Sequence, residues 1–213
     1  MNRKLLASAA GLSALALALG ASAQDNIVKL GATYYTTHSR TDGIVGIGVP
    51  AGSDAKTGNA STVIVTYERM LGPQLGAEFV LGLPPRIKSR ALGTVAFLGD
   101  DVLSAKFVAP TFFMNWHFGQ QGDTWRPYAG LGINFTRFIG IRSVLAQDVA
   151  MGDSTGLAGQ LGVDYSLARR WSLFGSVAAL DVKSKLVASG STVLQTTIDF
   201  RPIVYTLGTS YRF

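Results

Sequence analysis

The chain has 213 residues and no cysteine, which excludes disulfide staples and thiol chemistry. Nineteen Lys and Arg against thirteen Asp and Glu give a formal charge of +6, a mild excess that argues against a nucleic-acid partner. Only 15% of residues are charged and 47% are hydrophobic, yet the apolar residues are dispersed, as in strands with two unlike faces.

The first element is a predicted export signal. Arg3 and Lys4 precede an apolar run from Leu5 to Leu19, and Ala21-Ser22-Ala23 forms a small-x-small cleavage site. An apolar run of about 15 residues is short for a spanning helix. Residues 1–23 are therefore expected to be a cleaved secretory signal peptide, and 24–213 the mature domain. Loss of Arg3 and Lys4 takes the formal charge from +6 to +4.

Eight alternating runs follow: "NIVKLGATYYTT", "STVIVTYERML", "LGAEFVLGL", "FVAPTFFMNWHF", "WRPYAGLGINFTRF", "TGLAGQLGVDYSL", "WSLFGSVAAL" and a terminal run from Val193 to Phe213. Runs two and three, four and five, and six and seven are joined by short turns. The connections 39–60, 85–105 and 140–154 are longer. Short turns at one end and long loops at the other predict an eight-stranded antiparallel up-and-down transmembrane β-barrel. An even number of strands closes such a sheet without an edge. Tyr67, Trp116, Phe118, Trp125, Tyr165, Trp171, Tyr211 and Phe213 lie beside the short turns or the C-terminus, as an interfacial girdle at the periplasmic rim would. The expected location is the outer membrane of a Gram-negative bacterium, with outer-membrane lipid and lipopolysaccharide as surroundings and a monomer as the default state.

The segments "NIVKLGATYYT", "YERMLGPQLGAEFVLGLPP", "PTFFMNWHFG", "RPYAGLGINFT", "GQLGVDYSL" and "SYRF", in this order, resemble the OmpW/AlkL family of outer-membrane proteins. The resemblance covers 24–213 and is weakest in the loops. It implies an eight-stranded barrel that admits small hydrophobic molecules by passive uptake. It also implies that the terminal aromatics, Phe213 with Tyr211, are read by the barrel-assembly machinery as a signal.

If one face of each strand meets lipid, the other lines the interior. Near the periplasmic end that face carries Lys29, Glu68, Glu78, Arg126, Tyr128, Asp164 and Arg212. Six charges in a narrow lumen must pair to be tolerated, which predicts a salt-bridged plug rather than a water pore. Toward the outside the inner face turns apolar: Ile64, Val80, Phe107, Phe113, Phe138, Ala178, Leu180 and Val182. The expected arrangement is an apolar funnel above a closed base, and a filled core is the competing reading. A solute in such a funnel keeps its hydrophobic gain by leaving sideways into the bilayer. Pro84, Pro110 and Pro202 are the expected marks of a weakened lateral seam. A bulge at Pro202 is expected to turn Ile198 and Phe200 toward lipid, with Asp199 and Arg201 inward.

His38 falls in the first loop and His117 at a periplasmic turn, so no metal site, cofactor or catalytic group is expected. The basic residues Arg86, Lys88, Arg90, Arg137, Arg142, Lys183 and Lys185 lie near the outer loops. Lipid phosphates or solvent are their expected neighbours. A surface receptor or structural barrel (phage, toxin or host contact) and a narrow ion-conducting porin are the alternatives to uptake.

Overall fold

A segment whose side chains alternate between two environments satisfies both only as a strand, because successive side chains point to opposite faces. The computed structural model describes residues 26–213 except 42, 44, 47–48, 144–147 and 190–192. The predicted signal peptide, 1–23, lies outside the described residues. Eight strands form the barrel: β1 (Asn26–Thr37), β2 (Ala60–Met70), β3 (Leu75–Gly82), β4 (Thr111–His117), β5 (Trp125–Ser143), β6 (Ser154–Ser166), β7 (Trp171–Leu180) and β8 (Pro202–Arg212). Each pairs antiparallel with its neighbours in sequence, and β8 closes on β1 from Ile27↔Arg212 to Thr37↔Pro202. The last residue joins the closure: Phe213 N donates to Asn26 O at 2.9 Å.

The parity is strict in β4, where Thr111, Phe113, Asn115 and His117 are buried and Phe112, Met114 and Trp116 are exposed. Outward positions elsewhere carry Leu131, Ile133, Leu157, Leu161 and Leu207, each more than half exposed. At the short-turn end the aromatics cluster. Trp125 packs on Tyr165 with ring centroids 4.6 Å apart, Trp171 on Tyr211 at 4.9 Å, and Tyr211 stacks on Phe213 at 6.3 Å.

The long connections contain strands of their own. Above Thr136↔Ser154, the last β5–β6 pair, the wall divides into two sheets. One joins 137–143 to 103–108, then to 86–93 and 53–57. The other joins 148–151, 183–189, 193–199 and 40–41.

The fourth and eighth runs are each split. Ala109 and Pro110 separate 103–108 from β4, and Phe200 and Arg201 separate 193–199 from β8. The expected face inversion at Pro202 does not occur. Ile198 and Phe200 are buried inside, whereas Asp199 is only partly buried and Arg201 is exposed. Two residues intervene between the strands, so even positions stay inward. Arg201 takes up the irregularity with φ 39°, and Phe200 remains in the ladder, donating to Val182 O at 2.9 Å and accepting from His38 N at 3.2 Å. The apolar side chains turn to the lumen, and the charged pair, Arg201 Nε to Asp199 Oδ2 at 2.8 Å, turns outward.

Candidate functional site

The interior is stacked in two unlike layers. The lower one begins with a conflict set by register. Glu68 on β2 and Glu78 on β3 are directly opposite and both point inward. Two like charges so placed repel unless a cation lies between them. Lys29 on β1 supplies it, with Nζ 2.9 Å from Glu68 Oε2 and 3.4 Å from Glu78 Oε1. Lys29, Glu68 and His117 have 0% exposure, so the cluster is sealed from solvent.

The remaining carboxylate oxygens are also occupied. His117 Nε2 donates to Glu68 Oε1 at 2.7 Å. Asn115 Nδ2 donates to Glu68 Oε1 at 3.0 Å and to Glu78 Oε2 at 2.6 Å. Gln160 Nε2 donates to Glu78 Oε2 and, at 2.7 Å, to Asn115 Oδ1. The Lys29 ammonium also lies 4.7 Å from the Tyr128 ring centroid and 5.5 Å from that of Phe174, within reach of both π faces. Glycines make room for this crowd. A Cβ at Gly76 would strike the Glu68 carboxylate, one at Gly130 the Asn115 amide, and one at Gly162 the Tyr128 ring.

Of the six charges expected to pair as one plug, only Lys29, Glu68 and Glu78 do so. Arg126, Asp164 and Arg212 lie nearer the periplasmic mouth, beside Arg169 and Arg170 of the β6–β7 turn. Among the described residues Arg126 and Arg212 join no ion pair. Arg126 Nη2 donates instead to Pro73 O. Asp164 Oδ2 lies 3.8 Å from His117 Nδ1.

His117, Asn115 and Gln160 were not foreseen as members. His117 is not a turn residue; it closes β4 on its inner face. The signal was present in the alternation, since Met114, Trp116 and Phe118 face outward and their intervening neighbours cannot.

Polar side chains also thread the base of the upper layer, where Thr33 and Thr206 hydroxyls meet at 3.0 Å and Asn134 Nδ2 donates to Thr111 Oγ1 at 2.8 Å. The structure brings the eight expected apolar residues toward one space. Ile64, Phe107, Phe113, Phe138, Ala178, Leu180 and Val182 are buried, and Val80 packs against them partly buried. It adds residues not foreseen: Tyr35, Ile198, Phe200 and Val204 from β1 and the β8 side, and Ile87 and Ala105 from the outer sheet.

This layer is filled, not open. Tyr35 meets Phe107 edge-on at 5.4 Å, Phe107 meets Phe138 at 6.4 Å, and Phe138 stacks on Phe200 at 5.3 Å. The free space among Tyr35, Phe107, Phe138, Leu180 and Phe200 is about 30 Å³, and that beneath it, between Ile64, Val80 and Gln160, is about 40 Å³. Both are small cavities, with room for little more than ordered water. The expected funnel is therefore occupied by its own side chains in this conformation, as an eight-stranded interior allows.

The three prolines do not form one seam. Pro110, with Pro84 and Pro85, borders the interval where β3 leaves β4. Between Val80↔Thr111 and Arg86↔Lys106 the β3 side has one residue more, and the main-chain link there is Phe107 N to Pro85 O at 3.4 Å. Pro85, whose carbonyl faces this interval, has no N–H to return the bond. Pro202 lies elsewhere, on a continuous ladder bounded by Thr37↔Pro202 and Ala179↔Ile203.

A closed barrel with a lipid-facing apolar band, an aromatic girdle and a charged, hydrogen-bonded interior defines a β-barrel of the bacterial outer membrane. The model of the OmpW family matches residues 22–213, and the chain belongs to that family. It is 31% identical over 163 residues to outer membrane protein W of Escherichia coli strain K12, covering 73% of this chain and 74% of that one. Outer membrane protein W of Vibrio cholerae is 30% identical over 198 residues, 83% of this chain and 90% of its own. The crystal structure of the outer membrane protein OprG from Pseudomonas aeruginosa superposes with a TM-score of 0.81 at 25% identity. It covers 90% of this chain and 96% of that one.

Proposed function

We propose that this barrel admits small hydrophobic molecules passively from the outside, through the apolar upper layer, and releases them sideways into the bilayer above a closed base. The observation that carries the reading is the division of the lumen: an aromatic and aliphatic layer facing outward over a sealed charge cluster. A hydrophobic solute gains by leaving water for the upper layer and would lose that gain by crossing Lys29, Glu68 and Glu78. The interrupted β3–β4 interval beside Pro84, Pro85 and Pro110 lies level with this layer, since Phe107 takes part in both. It is the better candidate for lateral release than Pro202.

The test is uptake into proteoliposomes of an alkane or aromatic-ester series, a sugar and a salt current. Hydrophobic solutes are expected to enter faster than lipid-only controls allow, rising by up to about fourfold per added methylene, with no conductance. Leu180→Lys places a charge in the buried layer and should remove the enhancement. Pro85→Ala, which restores a donor facing Phe107, should slow it. Ion conductance without hydrophobic preference would make the protein a narrow porin. No effect on any solute would favour the surface-receptor or structural reading.

The terminal strand carries a second proposal: Phe213 and Tyr211 direct the chain to the barrel-assembly machinery. Tyr211 and Phe213 stack at the girdle, where a partner can reach them before closure. Deleting Phe213 should lower the folded fraction in cells while leaving refolding into detergent intact. Equal loss in both would reduce the residue to an anchor.

A further inference from the structure

The outer sheet made by 53–57, 86–93, 103–108 and 137–143 has an uneven distribution of charge. Its inner face carries Thr57, Ile87, Ser89, Ala105, Phe107 and Phe138, all buried. Its outer face carries Lys56, Arg86, Lys88, Arg90, Lys106, Arg137 and Arg142, all exposed. Register sets two of these pairs directly opposite each other, Arg86↔Lys106 and Lys56↔Arg90. Like charges opposite one another on a sheet destabilise it. Among the described residues the one ion pair on this face is Lys88 Nζ to Asp101 Oδ2 at 2.6 Å. The other outer sheet is different. There Lys183 stands opposite Asp199 and its Nζ lies 3.4 Å from Asp181 Oδ1, and just beyond the sheet Arg201 Nε lies 2.8 Å from Asp199 Oδ2.

The height of the patch is fixed by the strands below it. Outward positions of β5 run Leu131, Ile133, Phe135 and then Arg137. At about 3.4 Å per residue, Arg137 stands no more than about 7 Å above the last lipid-facing ring. Leu81 and Leu83 likewise precede Arg86 and Lys88. The cations therefore begin where hydrocarbon ends, at the level of lipid phosphates, and acyl chains have Leu83 and Phe135 to lie against.

We infer that the outer face of this sheet is a docking site for a multiply phosphorylated glycolipid of the outer leaflet, with phosphates seated between Arg86 and Lys106 and between Lys56 and Arg90. Phosphate accepts the guanidinium fork and relieves the repulsion within each pair. Several phosphates on one headgroup match cations spread over neighbouring strands better than a single phosphate does. Arg86 and Lys106 also stand on the two sides of the interrupted β3–β4 interval, so a phosphate between them ties together strands that the main chain joins poorly there. The inference rests on placement in the outer membrane and not on the uptake reading.

The test reconstitutes the full barrel in phosphatidylcholine bilayers containing a bisphosphorylated lipopolysaccharide glycolipid or its dephosphorylated form, and measures lipid retained after extraction by native mass spectrometry. The phosphorylated form is expected to be retained selectively. Arg86→Gln with Lys106→Gln should lose roughly 25-fold of that retention, about fivefold per cation. Lys183→Gln with Lys185→Gln, on the other sheet, should not. Equal retention of both glycolipids by the unaltered protein would overturn the site without any variant being needed. So would equal loss in the two double variants, or competition by inorganic phosphate as effective as that by the glycolipid.

Discussion

Lys29→Ala should destabilise the folded barrel by about 3–5 kcal/mol, the cost of removing one partner from a buried ion cluster. The reason lies in the register. Glu68 and Glu78 are fixed opposite each other by the β2–β3 ladder, and neither can move away without breaking it. In the variant, two carboxylates face each other in a sealed space whose other donors, His117, Asn115 and Gln160, are already engaged. Replacing all three charges together, Lys29→Met with Glu68→Gln and Glu78→Gln, should recover most of the loss, because no unpaired charge remains. Urea unfolding in bilayers, followed by Trp116, Trp125 and Trp171 at the girdle, measures both. A loss under about 1 kcal/mol for Lys29→Ala, the range of exposed pairs, would mean that the base is wet and its charges are screened. That result would also remove the reason to expect no conductance.

The barrel and the identity of most inward residues were legible because parity is a property of each strand alone. Lys29, Glu68, Glu78, Phe113 and Leu180 could be placed inside by counting from outward aromatics and leucines. Partners across the lumen were not legible. That Lys29 takes both glutamates while Arg126 and Arg212 take none depends on side-chain reach between strands that are not adjacent in sequence. His117 borders a turn in sequence, yet its parity with Asn115 and Phe113 sets it inside.

The rule that apolar residues face lipid turns Ile198 and Phe200 outward, whereas both are buried inside. The rule holds only within the hydrocarbon layer. Above it the polarity reverses: the lumen holds Phe138 and Phe107, and the exterior holds headgroups and water. The strands inside the long loops are not legible in the sequence, because 53–57 and 86–93 are rich in Lys, Arg, Ser and Thr, a composition that also suits solvated loops. Their strand character comes from pairing with each other.

Filling of the upper layer leads to the second large effect. Phe138→Ala and Phe200→Ala should each cost about 3–5 kcal/mol of stability, the usual loss for a buried phenylalanine, and yet speed hydrophobic uptake. The two rings stack at 5.3 Å and Phe138 also meets Phe107, so either truncation removes part of the material that occupies the lumen. A solute entering the unaltered protein must displace these rings, because only a small cavity of about 30 Å³ lies among them. Part of the binding gain is spent on that displacement, and the variant is spared it. Salt current should stay at background, because the lower layer is untouched and lies below the Thr33–Thr206 contact. Stability and transport would then move in opposite directions, which a simple core does not produce. If uptake falls along with stability, the rings are packing for a rigid wall and the solute goes elsewhere. If current appears together with uptake, Lys29 and its partners do not close the base alone, and the aromatic layer is part of the barrier to ions.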